Sequence, residues 1–261
     1  MDPTTDLPVP VAEIAPINRR TDAREIATAA YLQLLELLGS LDDADWAVPT
    51  ECAPWTVADT VSHLIGGGRS FSSWRGFLGY QIYGMRHRGA FDGNSLDACN
   101  ARDVAELAGL TPRQRVEILT NDYPAIVAGR MRLAPVLALA TGAVDQSGST
   151  APGMPTKENG GHLVEVVITR DVWLHTVDIA RAVGREPDVS APFNRRIVED
   201  VVAEWAHRHG QPFELHLTGP AGGRFAQGAE GAALTLDAVD FARTLSGREP
   251  GEGLLTTRVL F

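Results

Sequence analysis

Asp171, His175 and Asp178 fall at i, i+4 and i+7 of the run Arg170-Asp171-Val172-Trp173-Leu174-His175-Thr176-Val177-Asp178. On a helix, side chains at those spacings share one face. Val167, Leu174, Val177 and Ile179 mark the same segment as largely buried. Buried ionisable groups are costly unless they are paired or bound to a metal. A chain that contains this run must therefore place it inside a layer of other elements that satisfies all three groups. Two readings are open at this point. The carboxylate and imidazole are a hydrogen-bonded pair in a core, or, one turn apart, they grip a divalent metal together.

The 261 residues are enough for one large domain or two ordinary ones, and 44% of them are hydrophobic, so a sizeable core is available. No apolar run reaches the roughly 18–20 residues of a membrane span. The acidic start Met1-Asp2-Pro3-Thr4-Thr5-Asp6 lacks the basic and apolar regions of a secretory signal, so a cytoplasmic location is expected. A net charge of −10 argues against nucleic acid as a partner, which needs a basic surface. Two cysteines, Cys52 and Cys99, do not make a disulfide framework. Each reads as an ordinary small residue or as a reactive thiol. Chemistry that needs a thiol would bring one with a cofactor.

Capping signals and apolar periodicity divide the chain into elements. Residues 1–20 read as an extended, proline-punctuated lead-in. Thr21 or Asp22, with Glu25, starts a first helix that Gly39 ends. A loop follows from Asp42 to Pro54. Thr56 with Asp59 forms a capping box for a second helix, whose apolar stripe is Val57, Val61, Leu64 and Ile65. That helix runs on toward Trp74 across the weakening Gly66-Gly67-Gly68. Residues 76–100 mix aromatics and glycine and favour no element. Thr111-Pro112 with Gln114 opens a third helix that runs to about Arg130. Residues 141–161 read as a loop, and a fourth helix spans 162–183 before Gly184. Beyond it come a helix over 191–209, a strand over 213–218, a glycine-rich turn over 219–223, a strand over 233–236 and a helix over 237–245 with Asp237 as its N-cap. The chain thus reads as mainly α: a four-helix bundle over residues 21–184 and a small α+β domain over residues 185–261.

Facing helices of a bundle bring side chains together in its core. His63 on the second helix, alone, fits an ordinary core or surface histidine. With Asp171 and His175 from the fourth helix it completes a three-ligand set with an open position, the arrangement of a catalytic metal site. Imidazole and carboxylate together suit zinc or another first-row divalent ion. Asp178 is either an acceptor that orients a ligating ring or a surface acid near Arg181. Arg243 and Arg248 are either anion-binding forks or surface charges. The turn from Gly219 to Gly223 lacks the phosphate-binding patterns and reads as a strand connection.

Three segments in this order resemble a known family. Pro54-Trp55-Thr56-Val57-Ala58-Asp59-Thr60-Val61-Ser62-His63-Leu64 looks like one metal-binding helix of the DinB-like, mycothiol-dependent maleylpyruvate isomerase family. The stretch from Arg170 to Arg181 looks like its second metal motif, and the stretch from Leu236 to Arg248 resembles the C-terminal domain usually fused to it. The resemblance covers roughly residues 20–261. It implies a DinB-like bundle that holds one divalent metal, zinc being the expected ion, through His63, Asp171 and His175. It also implies mycothiol as thiol cosubstrate and a small electrophile as its partner, in a monomer or homodimer. The isomerase is expected to carry glutamate where this chain has Asp171, which leaves isomerase and S-transferase chemistry both open. A non-catalytic metal- or ligand-binding protein and a thiol-independent metal hydrolase are the remaining alternatives.

Overall fold

A computed structural model describes residues 7–143, 153–155 and 157–261. The described chain forms two compact units. The larger comprises residues from Asn18 to Pro187, apart from a short excursion around residues 153–155. The smaller gathers residues 7–17, residues 153–155 and Asp188–Phe261.

In chain order the elements begin with a short strand, β1 (Val9–Pro10), and then α1 (Ala23–Gly39), α2 (Val57–Ser70), α3 (Trp74–His87), α4 (Ser95–Leu107) and α5 (Pro112–Leu137). Strands β2 (Thr141–Ala143) and β3 (Lys157–Asn159) follow. A helical turn, α6 (Gly160–His162), leads through a π-helical segment, Leu163–Val167, into α7 (Ile168–Ala182). The chain closes with α8 (Pro192–His209), β4 (Phe213–Thr218), β5 (Gly223–Gln227), β6 (Ala232–Asp237) and α9 (Ala238–Ser246).

In the larger unit α1 packs on α5 and α7, and α2 packs on the same two. The four helices therefore form a closed ring in the order α1, α5, α2, α7. This is the four-helix bundle expected from the sequence. Both capping boxes are present: Thr56 with Asp59 starts α2, and Thr111 with Gln114 starts α5. Each such cap is worth about 0.5–2 kcal/mol. Asp22 stands at the N-cap of α1, but its side chain accepts no capping hydrogen bond; its Oδ1 accepts from the Thr21 hydroxyl instead.

The second helix stops at Ser70 rather than running toward Trp74, because Ser73 caps a new helix there. The glycines before it are not weak points. A Cβ at Gly66 would collide with Asp103 of α4, and one at Gly68 would meet Ile126 of α5 at 2.9 Å. Both glycines let α2 sit close to its neighbours. The ambiguous stretch 76–100 lies in α3 and α4, which pack on each other and against α2 outside the ring. The third bundle helix extends to Leu137, about two turns beyond the expected end near Arg130.

The loop expected over 141–161 is bounded by an antiparallel ladder that pairs Thr141 with Asn159 and Ala143 with Lys157. Residues 144–152 and 156 of it lie outside the described residues. The Asn159 side chain caps the turn that starts the fourth bundle helix, accepting from Gly161 and His162. Within the π-helical segment, Glu165 is buried and pairs with Arg19 at 2.6 Å. The adjoining core gathers Leu133, Ala134, Leu137 and Val164, with Phe71, Phe77 and Ile168 packed against it.

The smaller unit is a four-stranded sheet, β1-β5-β4-β6, with α8 and α9 packed on it. Strand β4 alternates strictly: Phe213, Leu215 and Leu217 are buried, and Glu214, His216 and Thr218 are exposed. That is the pattern of a sheet with one covered face. Trp205 of α8 fills the core beneath it, 4.8 Å from the Phe213 ring and 5.4 Å from that of Phe241. Its indole Nε1 donates to the Leu254 carbonyl at 3.1 Å. Asp237 caps α9 as expected.

Two features depart from the sequence reading. Strand β5 lies where only a turn and its sequel were expected, pairing antiparallel with β4. The lead-in expected over residues 1–20 contributes a strand: β1 pairs parallel with β5, Val9 opposite Phe225. Pro10 suits this place, because β1 is an edge strand and needs no further donor there. The following residues are tied to α8, where Asp200 accepts from the Ile17 amide at 2.9 Å and Arg196 donates to the Ala15 carbonyl at 2.6 Å. Among the described residues, no helix is long and apolar enough to cross a membrane.

Candidate metal centre

The ring of helices aims one polar face of α2 and one of α7 at each other. His63 lies in the second turn of α2, and Asp171 and His175 lie a turn apart in α7. His63 Nε2 stands 3.4 Å from Asp171 Oδ2, and His175 Nε2 stands 3.3 Å from Asp171 Oδ1. Their ligand atoms all lie within 4.8 Å of one another. The structure thus brings together the three residues that the sequence singles out.

The separations are informative. A tight charge-assisted hydrogen bond is about 2.7–2.9 Å long. Donors held at roughly 2.0–2.2 Å from one tetrahedral ion lie about 3.4 Å apart. The two Asp171 contacts, one to each carboxylate oxygen, are longer than the first and close to the second. His63 Nδ1, on the far side of the ring, is buried and has no hydrogen-bond partner among the described residues. The donor set of two imidazoles and one carboxylate fits a borderline divalent ion.

The other nitrogen of His175 is held differently. Its Nδ1 is 2.9 Å from Asp178 Oδ2, and Asp178 is 0% exposed. Asp178 is therefore not the surface acid that one reading allowed; Arg181 reaches Glu51 at 3.5 Å instead. With Nδ1 donating to a buried carboxylate, Nε2 of the neutral ring is free to face the centre. Asp178 Oδ2 also accepts from the Cys52 thiol at 3.4 Å, and Cys52 Sγ is 3.9 Å from His175 Nδ1.

The loop before α2 delivers two residues that sequence reasoning did not single out for this place. Backbone bonds from Thr50 to Trp55 and from Val57 to Val48 fold it back on itself. Cys52 thereby reaches Asp178, and the Trp55 ring lies 4.8 Å from that of His63 and 6.3 Å from that of His175. Cys52 carried no distinguishing signal, and Trp55 was visible only within the family motif. Cys99 is buried elsewhere, its thiol 3.3 Å from the Tyr80 carbonyl, and burial pushes it up to about 11. It is an unreactive core residue.

Electrostatics bind the cluster together. Burial alone would raise the Asp171 carboxyl, but the His175 and His63 rings outweigh it and hold it well below the usual carboxylate range. Burial opposes charge on His175, yet Asp171, Asp178 and Cys52 together hold it well above the ordinary imidazole value. Such a centre holds a proton where a metal would go, so metal and proton compete for it. The Asp171 charge also acts on Tyr31 of α1 and Arg130 of α5. All four helices of the ring thus contribute polar groups to the interior. Arg243, one of two arginines considered for anion binding, is not a surface charge: it is 1% exposed and reaches Glu249 at 2.8 Å.

A family model described as the mycothiol maleylpyruvate isomerase N-terminal domain matches residues 27–180, more than half of the chain. A solved structure of the mycothiol-dependent maleylpyruvate isomerase is similar over 92% of each chain, with 14% sequence identity and a TM-score of 0.55. A histidine-to-alanine variant of that isomerase is similar over the same share, with 13% identity and a TM-score of 0.54. At such identities the likeness is one of fold. No curated protein matches the chain in sequence.

Proposed function

The chain belongs to the mycothiol maleylpyruvate isomerase N-terminal domain family, and from that premise we propose that it is a thiol-dependent enzyme working at a divalent metal centre. His63, Asp171 and His175 are the ligands, and zinc is the expected ion. The cosubstrate is a low-molecular-weight thiol of the mycothiol class, and the substrate is a small electrophile. The observation that supports this most directly is the convergence of the three donors, with both histidines 3.3–3.4 Å from the Asp171 carboxylate.

An ion bound there supplies Lewis acidity, which favours the deprotonated form of a coordinating thiol at neutral pH. The chain's own groups do the rest. Asp178 accepts the Nδ1 proton of His175 and fixes its tautomer, so that Nε2 points to the centre. The Trp55 ring stands over both histidines and excludes water from one side. Asp171 lowers the net charge of the site, which would otherwise carry only neutral imidazole ligands. In the reaction a carbon–sulfur bond forms as the substrate's double-bond electrons move onto the adjoining acceptor group. In an isomerase, rotation about the resulting single bond precedes elimination, which breaks the carbon–sulfur bond and returns the thiol. In a transferase the adduct leaves as product. Aspartate at position 171 has one methylene fewer than the glutamate expected of the isomerase, and would be the carboxylate that holds an ion together with His63 and His175.

Metal analysis after purification without chelators, together with a thiol-consumption assay, tests the reading. It requires about one zinc per chain, lost in His63→Ala and in His175→Ala, and turnover of maleylpyruvate or a related electrophile only with added thiol. A folded protein that carries no metal overturns it. Turnover without thiol points to a metal hydrolase, and a filled site without thiol consumption points to a binding protein.

A further inference from the structure

The interior of the bundle holds a second polar feature, which the metal centre does not use. Arg130 of α5 is 0% exposed, and its Nη2 donates to Thr169 Oγ1 at 2.7 Å. Its Nε and Nη1 have no partner, and it makes no ion pair among the described residues. Tyr31 of α1 is 1% exposed, and its hydroxyl is likewise unpartnered. A guanidinium offers five N–H donors, and its burial without acceptors is costly. Another buried arginine of this unit shows the usual solution: Arg115 donates to the Ser62 hydroxyl and to the carbonyls of Leu107 and Leu110. Arg130 has no such set.

Position adds to this. Thr169 lies two residues before Asp171 on α7, at a similar height along the helix but turned to a different side of it. The Asp171 charge acts on both Arg130 and Tyr31, and those two act on each other. The unpartnered donors are therefore neighbours of the metal centre inside the same ring of helices. A buried cation with N–H groups left over and an unpartnered hydroxyl near it, where the one acid that acts on them is already engaged by two histidines, is complementary to a small anion.

We propose that Arg130 and Tyr31 form an anion-binding position beside the metal centre that receives a carboxylate of the electrophilic substrate. Free guanidinium N–H groups and the Tyr31 hydroxyl donate to the carboxylate oxygens, and Thr169 holds the guanidinium in place. The identity of the ligand rests on the thiol-and-electrophile reading above; the existence of the anion position does not. The position makes the site selective, because an electrophile without the carboxylate leaves the buried donors unpaired.

Maleate, a small dicarboxylate, is the probe, with its neutral dimethyl ester as control. Binding is measured by calorimetry and thermal shift on the metal-loaded full chain. Maleate is expected to bind and raise the melting temperature, and the ester is not. Arg130→Met weakens maleate binding about tenfold or more, and Tyr31→Phe by a smaller factor, the scale of hydrogen bonds to a charged group. Without maleate both variants stay folded and keep the metal, and Tyr31→Phe melts no lower than the parent, since it replaces an unpaired buried hydroxyl by an apolar edge; Arg130→Met also loses the bond to Thr169. Unchanged maleate affinity in a folded Arg130→Met overturns the proposal. So does an unfolded Arg130→Met combined with parental maleate affinity in Tyr31→Phe. Maleate binding that vanishes in His63→Ala but persists in Arg130→Met shows ligation by the metal alone and also overturns it. A parent protein without metal refutes the functional reading, whereas Arg130-dependent maleate binding stands apart from that result.

Discussion

The two units differ in what their interiors gather. In the smaller unit the core is aromatic and aliphatic, and charged groups at its edge are tied to neighbours, although His209 Nε2 is buried without a hydrogen bond among the described residues. Asp200 accepts from the Ile17 amide, Arg243 reaches Glu249, and Trp205 gives its indole proton to Leu254. In the bundle, His63 Nδ1, the Tyr31 hydroxyl and two nitrogens of Arg130 lie buried without hydrogen bonds among the described residues, and the Asp171 charge interacts with all three side chains. Sequences normally keep local choices consistent with the fold, and departures concentrate where function requires them. The bundle gathers polar side chains from four helices near one carboxylate, whereas the smaller unit packs its core around Trp205.

The largest effect that tests this contrast is a core deletion. Trp205→Ala removes the side chain around which Phe213 and Phe241 pack, and costs about 3–5 kcal/mol. Denaturant unfolding followed by fluorescence and circular dichroism measures it. Metal content at low denaturant should remain that of the parent. Loss of the metal as well would mean that the units do not divide structure and chemistry as described.

A smaller effect comes from the acid behind the centre. Asp178→Asn keeps the shape but weakens the acceptor for His175 Nδ1. It should weaken metal affinity about 10–100-fold, read by competition with a chromogenic chelator, with little change in unfolding. Parental affinity would reduce Asp178 to a core hydrogen-bond partner.

The smallest effect is in the pH dependence of the metal-free protein. His175 is raised above its ordinary value of 6.5, so its contribution to stability is complete below that value and is lost as pH rises through the folded pKa. Asp171 is depressed below 3.8, so its contribution is present above that value and is lost as pH falls toward the folded pKa. The melting temperature should therefore decline at both extremes. Metal should abolish the alkaline decline, because it replaces the proton. An identical alkaline decline in His175→Ala would assign it to other groups.

Much of this architecture is legible in the sequence because it is local. The Thr56–Asp59 and Thr111–Gln114 boxes each act within one turn, and the spacing of Asp171 and His175 is a property of one helix. Pairing of His63 with α7 follows once the segments are read as a bundle. What escaped is non-local or looks ordinary. Strand β5 is polar and glycine-bearing, and its edge partner lies at the other end of the chain. Helix α3 leaves Trp74, Leu78, Ile82 and Met85 substantially exposed, so its apolar residues mark no buried face. Arg130 and Tyr31 are unremarkable within helices until the ring closes around them. Nothing near Cys52 in sequence announces Asp178.

The pairing of β1 with β5 also sets an order of events during synthesis. Val9 waits for Phe225, more than two hundred residues later, before its strand has a partner. By then the whole of the larger unit, from Asn18 to Pro187, has been made. Contacts of such long range are slow to form. The helices that carry His63, Asp171 and His175 are thus available to assemble while the first strand still lacks its partner, and the four-stranded sheet is completed only after they have been made.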